Sequence, residues 1–192
     1  MTETHKKIPA YYFENVESWG TWLSGNHDKS QNIWLILYKD HTDISTLNHA
    51  EALDIALCWG WINSKKSERD ENSYYLFFAK RNPKSNWSRV NKNKIEVLLT
   101  ENRLESPGLV MIESAKKTGT WTALDNVENL VIPHHLKIEF DKNPKAWGNF
   151  EAFPYAVKRA TLEWLFNAKR VATRLSRAEE IVTQSALNEQ IF

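Results

Sequence analysis

The chain has 192 residues, of which 42% are hydrophobic and 26% are charged. This length can bury one substantial core, so we expect one folding unit with two lobes instead of two independent folds. The 25 basic and 24 acidic residues nearly cancel, which argues against a whole-molecule field that collects DNA or anionic membrane and leaves only a local charged patch open.

The N-terminus and the cysteine content bear on the compartment. Residues 1–19 carry two lysines but no apolar stretch of the length that a signal peptide or a membrane span requires, so we expect a cytoplasmic protein. The single cysteine, Cys58, lies in an apolar run and has no partner for an internal disulfide. We interpret it as a buried thiol.

The first predicted elements are a helix and a strand. Val16, Trp19 and Leu23 recur at helical spacing within Asn15 to Asn26, and Gly25 near the end suggests a glycine cap. The next run, residues 32–39 (NIWLILYK), is continuously apolar and rich in β-formers. It predicts a central strand.

A buried helix and a hairpin come next. Asn48 and Glu51 have the spacing of a capping box, and Gly60 follows the apolar residues of the helix that they open. Two extended segments then flank the polar turn at 67–73. They predict an antiparallel hairpin that pairs with 32–39 and that Pro83 closes.

The remainder of the chain is predicted to be mainly helical. One helix covers 88–102, with Val90, Ile95, Leu98 and Leu99 facing inward, and a second lies between Pro107 and Gly119. A loop is predicted at 120–129. Pro133, Pro144 and Pro154 then mark the starts of three successive helices.

These elements predict an α+β fold. Its N-terminal lobe, residues 1–104, holds a small antiparallel sheet with covering helices, and its C-terminal lobe, residues 105–192, is helical.

One segment combines aromatic and basic residues. Tryptophan, tyrosine and phenylalanine recur between Trp59 and Trp87, and no acidic residue occurs from Ala79 to Ile95. Six cations lie in that acid-free stretch: Lys80, Arg81, Lys84, Arg89, Lys92 and Lys94. Cations around an aromatic face bind phosphorylated ligands or single-stranded nucleic acid, although a solvated loop has the same composition. Trp34, Trp59 and Trp164 are assigned to core packing.

Several segments carry a family resemblance by their order and spacing. They are WGTWLSGNH (19–27), WLILYK (34–39), EALDIALCWGWI (51–62), SNWSRVN (85–91) and the late cluster of Trp164, Ala168, Lys169, Arg170, Arg174 and Arg177. The chain resembles the YdeI/OmpD-associated, or bacteriocin-protection, family, although Asn63 and Val171-Ala172 depart from its usual pattern. The resemblance implies an α+β lobe followed by a helical lobe, a context of antimicrobial-peptide or stress resistance, and no established activity.

The candidate site residues come from the aromatic and basic segment. They are Trp61, Asp70, Tyr74, Arg81, Ser85, Trp87 and Asn91. We expect Arg81 to hold an anion or to pair with Asp70, Trp87 to stack on the ligand, and Ser85 with Asn91 to orient it.

Catalytic and metal-binding patterns are missing from the sequence. His134 and His135 are adjacent instead of spaced as zinc ligands on a helix, and no glycine-rich phosphate loop or nucleophile elbow occurs. We therefore predict no metal and no cofactor. Whether the chain is an enzyme stays open, since triads also assemble from residues distant in sequence.

The sequence favours a non-enzymatic binding protein for a small anionic ligand or a peptide. Two alternatives stay open. One is a nucleic-acid-binding protein that uses residues 80–94 and the stripe of Arg170, Arg174 and Arg177, which share one helical face; we expect such binding to be weak. The other is an adaptor that binds a protein partner.

Overall fold

The structure is a computed structural model that describes residues 3–192. Its chain divides into two compact units, with the boundary between Trp121 and Thr122. We call residues 3–121 unit 1 and residues 122–192 unit 2, and describe each in turn.

Unit 1 is built on a five-stranded sheet. The strands are β1 (Glu3–His5), β2 (Ile8–Tyr12), β3 (Asn32–Tyr38), β4 (Trp61–Glu68) and β5 (Ser73–Lys80), in the order β1-β2-β3-β5-β4. The α+β class and the β4–β5 hairpin are confirmed, and β5 pairs with β3 as predicted. The sheet is mixed, however, and not wholly antiparallel, because β2 runs parallel to β3.

The two N-terminal strands were not predicted. They are three and five residues long. Lys6 and Lys7 connect them with positive φ angles of 51° and 66°, where glycine or asparagine is the usual sign of such a hairpin. The turn therefore lacks its ordinary sequence signal.

Two capped helices cover the sheet, α1 (Val16–Asn26) and α2 (His49–Cys58). The predicted capping box at α2 is confirmed: Asn48 Oδ1 accepts from the Glu51 amide at 2.9 Å, and a Glu51 carboxylate oxygen accepts from the Asn48 amide at 3.0 Å. Gly60 follows α2 with φ of 72°. The predicted glycine cap of α1 is wrong, because His27 caps the helix in a right-handed conformation.

The core of unit 1 lies between these helices and one face of the sheet. Ile33, Leu35 and Leu37 alternate along β3 and point into it, together with the fully buried Trp19 and Phe78. The opposite face of the sheet carries a smaller cluster, with Trp34 and Ile36 from β3 and Tyr75 from β5. Both faces of the central strand are thus apolar, which explains its unbroken hydrophobic run.

The last helices of unit 1 are α3 (Arg89–Thr100) and α4 (Ser106–Thr118). Pro107 lies in the first turn of α4 and Gly119 caps it in the left-handed region, as predicted. Ile95 and Leu98 are buried, but Val90 and Leu99 are 65% and 42% exposed. The prediction for those two is wrong because α3 buries only a narrow stripe.

Helix α4 packs against α2. This packing places α4 within unit 1, so the structural boundary falls after the one predicted at residue 104. The single folding unit stays a prediction.

Gly108 marks a close approach between α4 and the end of α2. A Cβ at this position would lie 2.4 Å from the carbonyl oxygen of Cys58 and 2.8 Å from that of Leu57. Both oxygens belong to the backbone, so the steric clash could be relieved only if one of the two helices moved.

We expect Gly108→Ala to lower the free energy of unfolding of unit 1 by about 1–3 kcal/mol, as overpacking does elsewhere. The matched control is Gly25→Ala in α1, where a Cβ meets nothing within 4 Å and alanine favours the helix by roughly 0.5–1 kcal/mol. Urea denaturation of both variants tests this. Equal stability of the two would contradict the close approach.

Unit 2 consists of helices. They are α5 (Asp125–Glu128), α6 (His134–Asp141), α7 (Pro144–Ala152), α8 (Tyr155–Phe166) and α9 (Val171–Ala186). The three predicted proline-marked starts are confirmed, whereas the predicted loop at 120–129 contains the short helix α5. Leu136, Phe140, Phe150 and Leu162 are among the residues that form its core. Within residues 3–192, no helix is both long and apolar enough to cross a membrane.

Candidate functional site

The candidate site is a cavity of about 730 Å³ within unit 1, which we call the unit 1 cavity. Its wall comes from the end of α1, the turn from α2 to β4, the end of β5 and the start of α4. Residues that line it include His27, Trp59, Trp61, Lys80, Arg81 and Met111. This volume lies in the range of small-molecule sites, roughly 300–1,000 Å³.

The turn at Gly60 assembles the aromatic part of the wall. Gly60 has a positive φ and lies between the end of α2 at Cys58 and the start of β4 at Trp61. Trp59 and Trp61 therefore flank a single tight turn. The Gly60 carbonyl accepts from the Arg81 amide at 2.9 Å, which fixes the end of β5 beside it. A Cβ on Gly60 would lie 3.1 Å from the Pro107 carbonyl oxygen, so glycine also fits the approach of α4.

The two tryptophans at this turn differ in burial. Trp61 is 1% exposed, and its indole Nε1 donates to the His27 carbonyl at 3.3 Å. Trp59 is only half-buried, and its ring centroid lies 4.9 Å from that of His27. The assignment of Trp59 to core packing is confirmed, because it packs against two core clusters of unit 1, but it is not fully buried. Trp34 is buried as expected, and Trp164 packs half-buried against the core of unit 2.

Arg81 is the buried cation at the cavity. The whole residue is only 6% exposed. The central carbon of its guanidinium lies 3.8 Å from the Trp87 ring centroid. One terminal nitrogen, Nη2, donates to the Asn86 carbonyl at 2.7 Å and, more weakly, to the Ser85 carbonyl at 3.4 Å. Nε has no hydrogen-bond partner. Burial lowers the pKa of Arg81 to about 10, so it stays protonated at neutral pH.

The predicted pairing of Arg81 with Asp70 is wrong. Asp70 lies at the opposite end of the β4–β5 hairpin, separated from Arg81 by the eight residues of β5, or more than roughly 20 Å at about 3.3 Å per residue. Asp70 instead accepts from Ser73 Oγ at 2.8 Å and from Arg69 at 2.9 Å. The hydrogen bond from Ser73, and after it the one from the Asn72 backbone amide, lowers the pKa of Asp70.

The seven predicted site residues therefore separate into groups. Trp61 and Arg81 line the unit 1 cavity. The Ser85 carbonyl and the Trp87 ring both contact the Arg81 guanidinium. Tyr74 lies with Asp70 near the hairpin tip, under the Lys66 ammonium at 4.1 Å. Asn91 belongs to the first turn of α3, where its backbone amide donates to Ser88 Oγ.

Trp87 has neighbours on its ring that leave little room for a ligand. It is 3% exposed, Arg81 lies over it, and the Trp121 ring centroid is 5.0 Å away. The stacking partner that was predicted to be a ligand is, in the structure, the Arg81 side chain.

Sequence reasoning missed His27, Lys80 and Met111 as members of one wall. Lys80 Nζ donates to the Asp28 carbonyl at 2.8 Å, which holds the lysine against the end of α1. One signal in the sequence could have indicated Lys80: it precedes Arg81 at the end of the predicted strand that pairs with the strand of Trp61. The contribution of Met111 depends on how α4 packs, and no local pattern reports that.

Three of the other predicted cations have structural partners. Lys94 pairs with Asp54 at 2.6 Å. Arg174 donates to the Ala168 carbonyl at 3.1 Å, and Arg177 donates to the Trp164 carbonyl at 2.5 Å while lying 4.4 Å from the Trp164 ring centroid. Arg159 and Glu163, which are four residues apart on α8, form an ion pair at 2.9 Å.

Metal and thiol chemistry have little support in the part of the chain that the structure describes. Between residues 3 and 192, no group of three or more His, Cys, Asp or Glu side chains is placed to hold a metal ion. Cys58 is 3% exposed, and burial raises the pKa of its thiol to about 11. The thiol is therefore protonated at neutral pH and is a poor nucleophile.

Two family models match the chain. One, described as Domain of unknown function (DUF8412), matches residues 11–111, more than half of the chain. The other, described as Bacteriocin-protection, YdeI or OmpD-Associated, matches residues 129–188 and confirms the family resemblance over that part. No curated protein and no solved structure matches the chain.

Proposed function

Since the chain belongs to the family described as Domain of unknown function (DUF8412) and carries a YdeI- or OmpD-associated domain at residues 129–188, we propose that it is a binding protein. Its ligand is a small anion with an apolar body, or the end of an acidic peptide, held in the unit 1 cavity. A cytoplasmic location and a role in resistance to antimicrobial peptides or other stress are part of this proposal.

The observation that carries the proposal is the unpaired positive charge of Arg81. Among residues 3–192, no carboxylate forms an ion pair with its guanidinium, although Arg81 as a whole residue is only 6% exposed. Burying a charge without a counter-charge is unfavourable. An anion in the cavity that Arg81 lines would supply the missing counter-charge.

Lys80 adds a second cation to the same wall. Its ammonium contacts the backbone carbonyl of Asp28, not the carboxylate, so this contact leaves the lysine charge without a neutralising partner. Asp28 is the one acidic residue among those that line the cavity, so these two successive cations leave its wall net positive and favour an anionic ligand over a neutral one.

The apolar part of the wall defines the rest of the ligand. Trp59 presents a half-buried indole, and Pro107, Val110 and Met111 line the cavity from α4. Indole rings supply a large apolar contact area. A ligand that combines an aromatic or aliphatic body with a phosphate or carboxylate group fits this lining.

The same contacts disfavour nucleic acid. Arg81 is buried, Lys94 is paired with Asp54, and Arg174 and Arg177 donate to backbone carbonyls. These groups are not presented as a row of solvated cations, which non-specific phosphate-backbone binding requires. The formal net charge of +1 agrees with that.

We expect 1-naphthyl phosphate to bind saturably and to shift the Trp59 resonance in fluorine NMR of 5-fluorotryptophan-labelled protein, assigned with Trp59→Phe. Lys80→Gln should weaken binding about tenfold, because a hydrogen bond to a charged group contributes roughly 1.5 kcal/mol. Trp59→Ala should weaken it as well.

Lys84→Gln is the matched control, because it removes one exposed charge of the same segment that does not line the cavity. The Lys84→Gln variant should bind 1-naphthyl phosphate with the same affinity as the unaltered protein. Equal weakening by Lys80→Gln and Lys84→Gln, or equal binding of neutral 1-naphthol, would refute an anion site in the unit 1 cavity.

A further inference from the structure

A second cavity, of about 280 Å³, lies wholly within unit 2; we call it the unit 2 cavity. Helices α5, α6, α8 and α9 contribute to its wall. Val127, Leu162 and Leu165 form much of its apolar lining, while Asn126, His135 and Arg174 bring polar groups to it. Apolar walls with a few polar groups are typical of ligand sites.

His135 supplies a polar atom that lacks a partner. Its Nε2 is shielded from solvent and makes no hydrogen bond. Burial, and secondarily the positive charge of Arg174, lowers the pKa of His135, so the ring is neutral at neutral pH. A buried polar atom left without a hydrogen bond is unfavourable, and a ligand in the cavity would provide one.

Arg174 supplies a positive charge. Its Nη2 donates to the Ala168 carbonyl at 3.1 Å, which occupies one of the five N–H donors of a guanidinium. In the described part of the chain, no carboxylate forms an ion pair with it. A guanidinium with free donors binds carboxylates through two parallel hydrogen bonds.

Arg177, one helical turn further along α9, shows the contrast. It lies over the Trp164 ring and donates to the Trp164 carbonyl, which is a packing role, and it does not line the cavity. Arg174 has no such ring contact and faces a cavity that also holds the unpaired nitrogen of His135.

We propose that the unit 2 cavity binds a small carboxylate with an apolar body. Arg174 receives the carboxylate, His135 makes a second polar contact, and Val127, Leu162 and Leu165 enclose the body. The volume, just below the roughly 300 Å³ at which ligand sites usually begin, limits the body to about one six-membered ring. This site is independent of the unit 1 cavity.

Benzoate is the test ligand, titrated into full-length protein while the ¹³C-labelled ring of His135 is followed by NMR, with His135→Gln to assign the signal. We expect a saturable shift of that signal. Benzamide, which has the same shape without the charge, should bind roughly ten- to a hundredfold more weakly, as should Arg174→Gln with benzoate.

Two further variants keep the test decisive if Arg174→Gln fails to fold. Arg170→Gln removes an exposed charge of the same stripe outside the cavity and should bind benzoate normally. Ala123→Leu fills the cavity, which Ala123 lines, and should abolish binding. Equal affinities for benzoate and benzamide, unchanged binding by Ala123→Leu, or the absence of a saturable His135 shift would overturn the proposal.

Discussion

Replacing Trp19 by alanine is expected to lower the free energy of unfolding of unit 1 by about 3–5 kcal/mol, as large core deletions do. Trp19 is 0% exposed and lies between α2 and the sheet, with its ring centroid 5.7 Å from that of Phe78. Its Nε1 donates to the Ala52 carbonyl at 3.1 Å. Alanine would leave a void and remove this hydrogen bond, although the Ala52 carbonyl lies inside α2 and keeps its helical partner.

Urea denaturation, followed through the backbone amide resonances of unit 1, measures this effect. Trp22→Ala is the matched control, because Trp22 lies on the same helix, 5.5 Å from Trp19 by ring centroids, but is only half-buried. We expect it to be clearly less destabilising. Similar midpoints for the two variants at equal slopes would place Trp19 outside the core.

Local chemistry made much of this core predictable. The Asn48–Glu51 capping box joins residues three apart, and the run at 32–38 is apolar on both faces, so each could be read without knowledge of distant contacts. The β1–β2 hairpin could not, because Lys6 and Lys7 adopt positive φ without the residues that usually indicate it.

The candidate site depends on contacts that a linear pattern does not contain. Sequence proximity suggested Asp70 as the partner of Arg81, but the register of β5 places them at opposite ends of a hairpin. The acid-free stretch shows only that no carboxylate lies close to Arg81 in sequence. The cavity that Arg81 lines is completed by Trp59 and by residues of α4, which are remote from Arg81 in sequence.

Only part of the ionic network in unit 2 follows from local spacing along the sequence. The Arg159–Glu163 pair follows from i,i+4 spacing, but Arg159 Nε also lies 3.1 Å from Glu128, which is 5% exposed. The Tyr155 hydroxyl donates to the Glu128 backbone carbonyl at 2.9 Å. The hydrogen bond that Arg159 donates to the Glu128 carboxylate raises the pKa of Arg159 more than any other contact does.

We therefore expect Glu128→Ala to destabilise unit 2 by about 3 kcal/mol. That is the lower end of the roughly 3–5 kcal/mol for breaking a buried ion pair, because Arg159 is partly exposed and keeps Glu163. Glu163→Ala removes the other, more exposed carboxylate and should cost only about 0.3–0.5 kcal/mol.

Urea denaturation followed through the amide resonances of unit 2 compares the two variants. If Glu128→Ala lowered the free energy of unfolding less than Glu163→Ala did, the Arg159–Glu163 pair within α8, and not the Arg159–Glu128 pair between α8 and α5, would be the one that stabilises this unit. The expected order follows from burial: the Glu128 side chain is 5% exposed and that of Glu163 is 33% exposed, so solvent replaces the lost contact more readily at Glu163.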